Sequence, residues 1–315
     1  MRRTRGTAIA RMILAIVTVV WFSGSALAQT IDDGIMIPRR SLFTGNVYSH
    51  ESWDQYWEGT LKRDNGNIGT LTTQTNSWYV DYGLTRRLNV IASVPYVWTH
   101  ASQGVLHEMN GLQDLTLAAK FSVFETASRV GALRGIAVAT TGIPLTDYIA
   151  DFQPLSIGNQ SRRLGGRFTL NTQAQSGLYV NVSTAYTIRG QVKLDRPYYF
   201  TDDQLYLTDV VEMPEVFDYL LGAGYLKNGF NAMFSFAQQR TLGGGDIRRQ
   251  DSPFISNRMN FAKLGGMVMY PIPKVRDLAV QGAYAYTVDG RNVGQASAFT
   301  AALLYTFHLS GSVTP

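Results

Sequence analysis

Side chains that could support catalysis or metal binding are sparse in this sequence. The chain of 315 residues has 4 His and no Cys. His100, His107 and Glu108 lie close together, but in a polar stretch that we predict to be a loop. A hydrolase needs a nucleophile or an activated water that a His and an acidic partner hold in place. We interpret the three as solvated loop residues and expect no enzymatic activity, no metal site and no cofactor.

Three other features have equally ordinary interpretations. Glycines 243–245 lack the strand-to-helix setting of a phosphate-binding loop, so we predict a flexible loop there. His50 lies at the tip of the first predicted strand and His308 faces the interior near the end of the last one, and we interpret both as polar residues without a catalytic role. The absence of cysteine excludes disulfides, thiol catalysis and Cys-ligated metals.

Charged residues interrupt several stretches that otherwise alternate between apolar and small or polar residues. The candidates for an inner surface are Lys120, Arg167, Asp218, Lys263 and Asp114. The first four would form a net positive ring if they shared one interior, and rings of charge select ions by sign. We therefore expect a constriction that favours anions or carboxylated aromatic compounds. In the alternative interpretation, Asp218 pairs with the basic residues and these charges fill the interior.

Residues 195–215 combine aromatic and acidic side chains in one polar connection. The aromatic residues are Tyr198, Tyr199, Phe200 and Tyr206. One interpretation is a lid or capture surface, because aromatic faces stack on aromatic solutes and on cations. The other is a loop that folds over the mouth of the barrel and packs its aromatics on the barrel. The acids of this loop offer a further possibility, divalent cations that bridge lipopolysaccharide.

Strict alternation identifies the elements that would position these residues. In the stretch 178–188, Leu178, Val180 and Val182 alternate with Asn181 and Ser183. A period of two indicates β-strands, and it recurs along the chain. Aromatic residues at the ends of the apolar faces are typical of the girdles of a barrel in lipid. Because every backbone group must pair within the sheet in lipid, we predict a closed all-β, antiparallel transmembrane β-barrel.

Turns and loops give the strand count. Short connections alternate with long polar connections near 100–111, 143–162, 191–214 and 242–257, as in outer-membrane barrels. About twelve strands result, and the even number predicts that both termini lie in the periplasm. The predicted spans are 41–56, 68–84, 87–100, 111–124, 132–142, 163–174, 177–190, 215–227, 229–241, 257–270, 277–288 and 296–309.

The first 28 residues have the pattern of a secretory signal peptide. Arginines precede a short apolar run over 12–22, and Ala26, Leu27 and Ala28 offer a cleavage site before Gln29. We therefore predict a signal peptide over 1–28 and the barrel over 29–315. Removal of four arginines leaves 24 of the 28 basic residues against 23 acidic ones. A nearly neutral mature chain without a basic stripe does not favour nucleic acid as a partner.

Segments 82–88, 94–96 and 111–121 carry a family resemblance. They read Tyr-Gly-Leu-Thr-Arg-Arg-Leu, Val-Pro-Tyr and Gly-Leu-Gln-Asp-Leu-Thr-Leu-Ala-Ala-Lys-Phe. This pattern resembles the outer-membrane family named for the meta pathway of phenol degradation. The resemblance implies a barrel transporter for aromatic or other hydrophobic compounds. Arg86 stands where the family pattern has an acid.

Two functions of different classes fit this reading. The first is an outer-membrane channel for passive uptake of small hydrophobic or aromatic compounds. The second is a closed structural or adhesive barrel that presents its extracellular loops. The expected partners are small solutes, outer-membrane lipid and lipopolysaccharide, and the sequence indicates no oligomeric state. The side chains that we assign to the lipid face are Val90, Leu117, Val182, Phe234 and Leu303.

Overall fold

The computed structural model describes residues 30–248 and 253–309, and within them the chain is an antiparallel barrel of twelve long strands. The predicted fold is confirmed, whereas the signal peptide over 1–28 lies outside the described residues. No helix in the described ranges is long and apolar enough to cross a membrane. The strands are β1 (Ser41–Trp53), β2 (Leu71–Gly83), β3 (Leu88–Ala101), β4 (Asp114–Ala127), β5 (Gly131–Pro144), β6 (Arg163–Ala174), β7 (Leu178–Arg189), β8 (Val216–Lys227), β9 (Phe230–Thr241), β10 (Asn260–Pro271), β11 (Leu278–Arg291) and β12 (Ser297–His308).

The first and last strands close the barrel. β1 pairs with β12 from Ser41 opposite His308 to Ser52 opposite Ser297. The other edge of β1 pairs with β2, and each later strand pairs with its neighbours in sequence. The wall built by the described strands therefore has no free edge, which is what a strand needs where no water can reach its backbone.

The outer face of the barrel is apolar, as the alternation predicts, while the inner face carries both polar residues and apolar clusters. Ser183 is 0% exposed on the inner face, while its neighbour Val182 is 51% exposed on the outer face. Aromatic residues pair on the outer surface, where the ring centroids of Tyr305 and Phe307 lie 4.5 Å apart. All the side chains assigned to lipid are exposed: Val90, Leu117, Val182, Phe234 and Leu303.

Most strands differ from their predicted spans by one to three residues at an end, and two of these differences change the strand pairing. β1 ends at Trp53 rather than at residue 56, and Gln55–Glu58 instead pairs with Leu61–Asp64 in a separate hairpin. Gly59 makes that turn possible with a φ of 57°, a conformation that glycine adopts readily. Before β4, Met109–Leu112 pairs with the C-terminal half of β3, while β4 itself pairs with the N-terminal half.

The long loops at one rim pack together, and we call residues 145–162, 190–215, 242–248 and 253–259 the outer cap. Two short strand pairs shape the longest loop: Val192–Lys193 with Val210–Val211, and Tyr199–Thr201 with Gln204–Tyr206. These loops thus have a hydrophobic core of their own, which their polar composition did not predict. The buried residues of that core are Ala150, Val192, Leu194, Tyr199, Val211, Met213, Phe254 and Ile255.

Candidate functional site in the barrel lumen

Residues 30–36, which we call the N-terminal segment, lie inside the barrel. Lys120 projects inward from β4, and its Nζ donates to Oδ1 of Asp33 at 2.7 Å and to the carbonyl oxygen of Thr30 at 2.7 Å. Arg167 projects inward from β6, and its Nε lies 3.0 Å from Oδ1 of Asp32. The segment therefore lies in the lumen and binds two strands of the wall from within.

Apolar contacts hold the same segment. Ile31 and Met36 pack against a cluster on the inner wall that includes Ile91 and Ile136. Immediately after the segment, Ile37 is 3% exposed and belongs to a second buried cluster with residues of β1, β10, β11 and β12. Ion pairs and hydrophobic packing thus act together to keep the segment in the lumen.

Three of the predicted constriction residues meet at this segment. Arg167 donates from Nη2 to Oδ1 of Asp218 on β8 at 2.7 Å and from Nη1 to Ser183 at 2.9 Å. Lys120 is 0% exposed and pairs with Asp33. The inward direction of these side chains agrees with the prediction, but carboxylates of the N-terminal segment occupy the space between them.

The other two predicted constriction residues have separate partners. Lys263 on β10 lies 3.1 Å from Glu51 on β1. Asp114 lies 3.2 Å from Arg163 and accepts a hydrogen bond of 2.6 Å from the hydroxyl of Tyr148 in the outer cap. Burial and the hydrogen bond to Asp114 raise the pKa of Tyr148, so its hydroxyl stays protonated and donates. Asp114 therefore ties the outer cap to the barrel wall.

Carboxyl groups outnumber cations around the N-terminal segment. Asp81 on β2 is 0% exposed and interacts electrostatically with Lys120. With Asp32, Asp33 and Asp218, four carboxyl groups share this part of the lumen with the two cations Lys120 and Arg167. Like charges repel strongly where water is scarce. Two of the four carboxyl groups come from the segment, so its insertion creates the excess.

A cavity of about 310 Å³ lies beside the N-terminal segment. Asp32, Asp33 and Ile35 form one side of it. The opposite wall mixes amide side chains, such as Asn231, with larger apolar or aromatic ones, such as Met233. Sites for small molecules typically have volumes of about 300–1,000 Å³ and combine an apolar lining with a few polar groups. The cavity is therefore a candidate site for a small molecule in the lumen.

The four aromatic residues of the predicted capture surface divide into two pairs. Tyr199 is 6% exposed and stacks between Tyr206 and Phe254, with ring centroids 4.8 Å and 5.1 Å away. Tyr198 and Phe200 are 55% and 47% exposed. Tyr199 and Tyr206 therefore belong to the core of the outer cap, whereas Tyr198 and Phe200 present their side chains to solvent.

Acids of this loop pair with basic side chains. Arg248 contacts Asp203 and lies 3.0 Å from Asp202, and Lys193 lies 3.3 Å from Asp209. Across the described residues, no three His, Cys, Asp or Glu side chains come close enough to hold a metal ion.

His100 and His107 are exposed, and His308 contacts one acidic side chain. His100 and Glu108 contact each other through their side chains, which are 56% and 62% exposed, and His107 is also exposed. His308 lies 3.2 Å from Asp277 at the rim opposite the outer cap. Glycines 243–245 lie in a loop, as predicted.

Sequence reasoning missed the N-terminal segment and Asp81. The available signal was the pair of acids, Asp32 and Asp33, directly after the predicted cleavage site and followed by Gly34. The barrel strands that follow these acids carry two inward-facing cations, Lys120 and Arg167, which are opposite in charge to the acids. That pairing becomes visible only when the inner faces of β4 and β6 are known.

Comparison with known proteins agrees with the barrel fold. No protein-family model and no curated protein matches this sequence. An outer-membrane channel from Pseudomonas putida F1 has a similar solved structure, with a TM-score of 0.69 and 14% sequence identity over 87% of this chain and 98% of that one. The NanC porin has a TM-score of 0.44 and 9% identity over 82% of this chain and 98% of that one.

The first similarity defines the class of fold, a closed outer-membrane β-barrel. With its closed wall and apolar outer surface, the chain is a barrel of the bacterial outer membrane. At 14% identity, the resemblance extends to the fold and not to the solute.

Proposed function

We propose that the protein is an outer-membrane channel for the passive passage of small hydrophobic or aromatic compounds. The observation that carries the proposal is the lumen cavity of about 310 Å³, which is enclosed by the barrel wall and bordered by the N-terminal segment. Its mixed lining suits a ring that carries one polar group. A short segment, rather than a folded domain, lies across the lumen, so its displacement would widen the route.

The outer surface supports a hydrophobic solute. An apolar depression of about 980 Å³ lies outside the wall formed by β6 to β11. Met233, Gly266 and Tyr284 line both this depression and the lumen cavity, so a single layer of wall separates them. Hydrophobic compounds that partition into lipid would accumulate next to the cavity.

Planar-bilayer recording of the purified mature protein tests the channel. We expect low conductance from the wild type and resolved current steps from a variant that lacks residues 30–36. Phenol should reduce the current of that variant, and liposomes that contain it should take up phenol faster than empty liposomes. Absence of both conductance and phenol uptake in a folded variant would refute the channel. Folding is verified by the shift in gel mobility on heating.

The alternative function is a closed structural or adhesive barrel that presents its loops. One observation favours it, because the N-terminal segment lies in the lumen while the outer cap packs around its own hydrophobic core. Under this alternative, removal of residues 30–36 leaves the barrel impermeable. The same bilayer recording therefore separates the two functions.

We also propose that Tyr198 and Phe200 form an outer capture surface for aromatic solutes. Both side chains are exposed on the outer cap, so they are available for stacking. Replacement of both by Ser should slow phenol uptake without changing ion conductance. Leu207→Ser is the matched control, because Leu207 is 82% exposed in the same loop and is not aromatic. Equal uptake by the two variants would exclude the capture role.

The remaining assignments are consistent with this function. We propose a signal peptide over 1–28, termini on the periplasmic side, and contact of the outer surface with lipid and lipopolysaccharide. The resemblance to the phenol-degradation family supports aromatic compounds as the solute class.

A further inference from the structure

We propose that Lys120 and Arg167 form a binding site for the carboxylate of a small solute, and that Asp32 and Asp33 occupy this site as an internal ligand. The inference rests on the proposed channel function and names the chemical class of its solute. A solute with one carboxylate would compete with the N-terminal segment and open the route that the segment obstructs.

Lys120 and Arg167 already bind carboxyl groups of the N-terminal segment. Lys120 Nζ lies 2.7 Å from an Asp33 oxygen, and Arg167 Nε lies 3.0 Å from an Asp32 oxygen. The side chain of Lys120 is 0% exposed and that of Arg167 is 12% exposed, so water competes little with these ligands. The contact of Lys120 with Asp33 is a charge-assisted hydrogen bond, which is stronger than a neutral one, and Arg167 and Asp32 form an ion pair. A carboxylate in solution offers the same chemistry as the two aspartates.

The N-terminal segment matches the charge of this site poorly. Without it, Asp81 and Asp218 balance Lys120 and Arg167. The segment adds two carboxyl groups, whereas a solute with one carboxylate adds a single charge. Its covalent attachment gives the segment a local concentration on the order of millimolar, which compensates for this repulsion. A monocarboxylate at millimolar concentration therefore competes with it.

The body of such a solute also has a place to lie. The cavity of about 310 Å³ begins at Asp32 and Asp33 and extends past Tyr179, Met233 and Tyr284. A carboxylate that replaces Asp33 on Lys120 would carry its ring into this cavity. The geometry points to carboxylated aromatic compounds of about the size of benzoate.

The absence of cysteine provides a direct test in the intact protein. Ile35→Cys places one thiol on the N-terminal segment, and Leu207→Cys places one on the outer cap as a control. Sodium benzoate at millimolar concentration, which matches the local concentration of the tethered segment, should raise the rate at which a maleimide labels Ile35→Cys at least about threefold. Labelling of Leu207→Cys should not change. Benzyl alcohol, which has the ring without the charge, should leave both rates unchanged.

A second set of variants tests the ligand exchange by calorimetry. Asp32→Asn with Asp33→Asn weakens the internal ligand, so benzoate should bind about tenfold more tightly than to the wild type. Adding Lys120→Gln or Arg167→Gln to this variant should remove benzoate binding. Adding Lys263→Gln should not, because Lys263 pairs with Glu51 and not with the N-terminal segment. If the Lys120→Gln variant does not fold because Lys120 is buried, the Arg167→Gln variant still tests the site.

The results separate the two levels of the proposal. Equal effects of benzoate and benzyl alcohol on labelling, or equal losses of benzoate binding from Lys120→Gln, Arg167→Gln and Lys263→Gln, would overturn the carboxylate site. Phenol uptake in liposomes would persist in that case, and the channel function would stand. Benzoate binding without any conductance or uptake would instead contradict the channel and leave the binding site in place.

Discussion

Gly34 lies directly against Asn171 on the inner face of β6. A Cβ atom built on Gly34 would come within 2.1 Å of the Cβ of Asn171. The side chain of Asn171 is fixed by a hydrogen bond of 2.7 Å to Asn181 on β7. Only a residue without a side chain therefore allows the N-terminal segment to lie this close to the wall.

A side chain at Gly34 should consequently open the channel. We expect Gly34→Val to displace the N-terminal segment and to raise single-channel conductance toward that of the variant lacking residues 30–36. The barrel should still fold, because the segment pairs with no strand of the barrel sheet. Gly66→Val is the control, since a Cβ at Gly66 meets no atom within 4 Å. Wild-type conductance in a folded Gly34→Val protein would contradict the assignment of residues 30–36 as the obstruction.

The two faces of β4 should differ in their tolerance of charge. Leu117 is 37% exposed on the outer face, and Thr116 next to it belongs to the inner face. Arginine near the middle of the bilayer costs a barrel about 2–4 kcal/mol when it faces lipid. We expect Leu117→Arg to lower the urea midpoint of unfolding in lipid vesicles much more than Thr116→Arg. The opposite order would mean that the faces are inverted.

The barrel could be predicted from sequence because its signal is local. Val182 and Ser183 show which face is which from their order alone, and the same alternation repeats in each strand. The contact of Asp33 with Lys120 leaves no comparable trace, since the segment has no periodicity and its partners are far away in sequence. The end of β1 at Trp53 was missed for a related reason, because Gln55–Glu58 continues as a strand but in another hairpin.

The outer cap should depend on one of its two neighbouring tyrosines. Tyr199 is buried between Tyr206 and Phe254, whereas Tyr198 is 55% exposed. Truncation of a buried aromatic side chain costs on the order of 3 kcal/mol. Tyr199→Ala should therefore speed proteolytic cleavage of the outer cap, with no change in the heat-induced gel shift of the barrel. Equal cleavage of Tyr198→Ala would show that the stacked core does not hold the cap.

Ion selectivity should depend on Lys120 but not on Lys263. A complete ring of charges would make both lysines contribute to anion preference. In the structure, Lys263 is paired with Glu51 at 3.1 Å, whereas removal of residues 30–36 would leave Lys120 without its Asp33 partner. In the variant lacking residues 30–36, Lys120→Gln should shift the reversal potential toward cations, and Lys263→Gln should change it little. The exchange of Lys263→Glu with Glu51→Lys keeps the pair and should preserve both folding and selectivity. If Lys263→Gln shifted the reversal potential as much as Lys120→Gln does, the charges would act as a complete ring, and the local pairing of Lys263 with Glu51 would be contradicted.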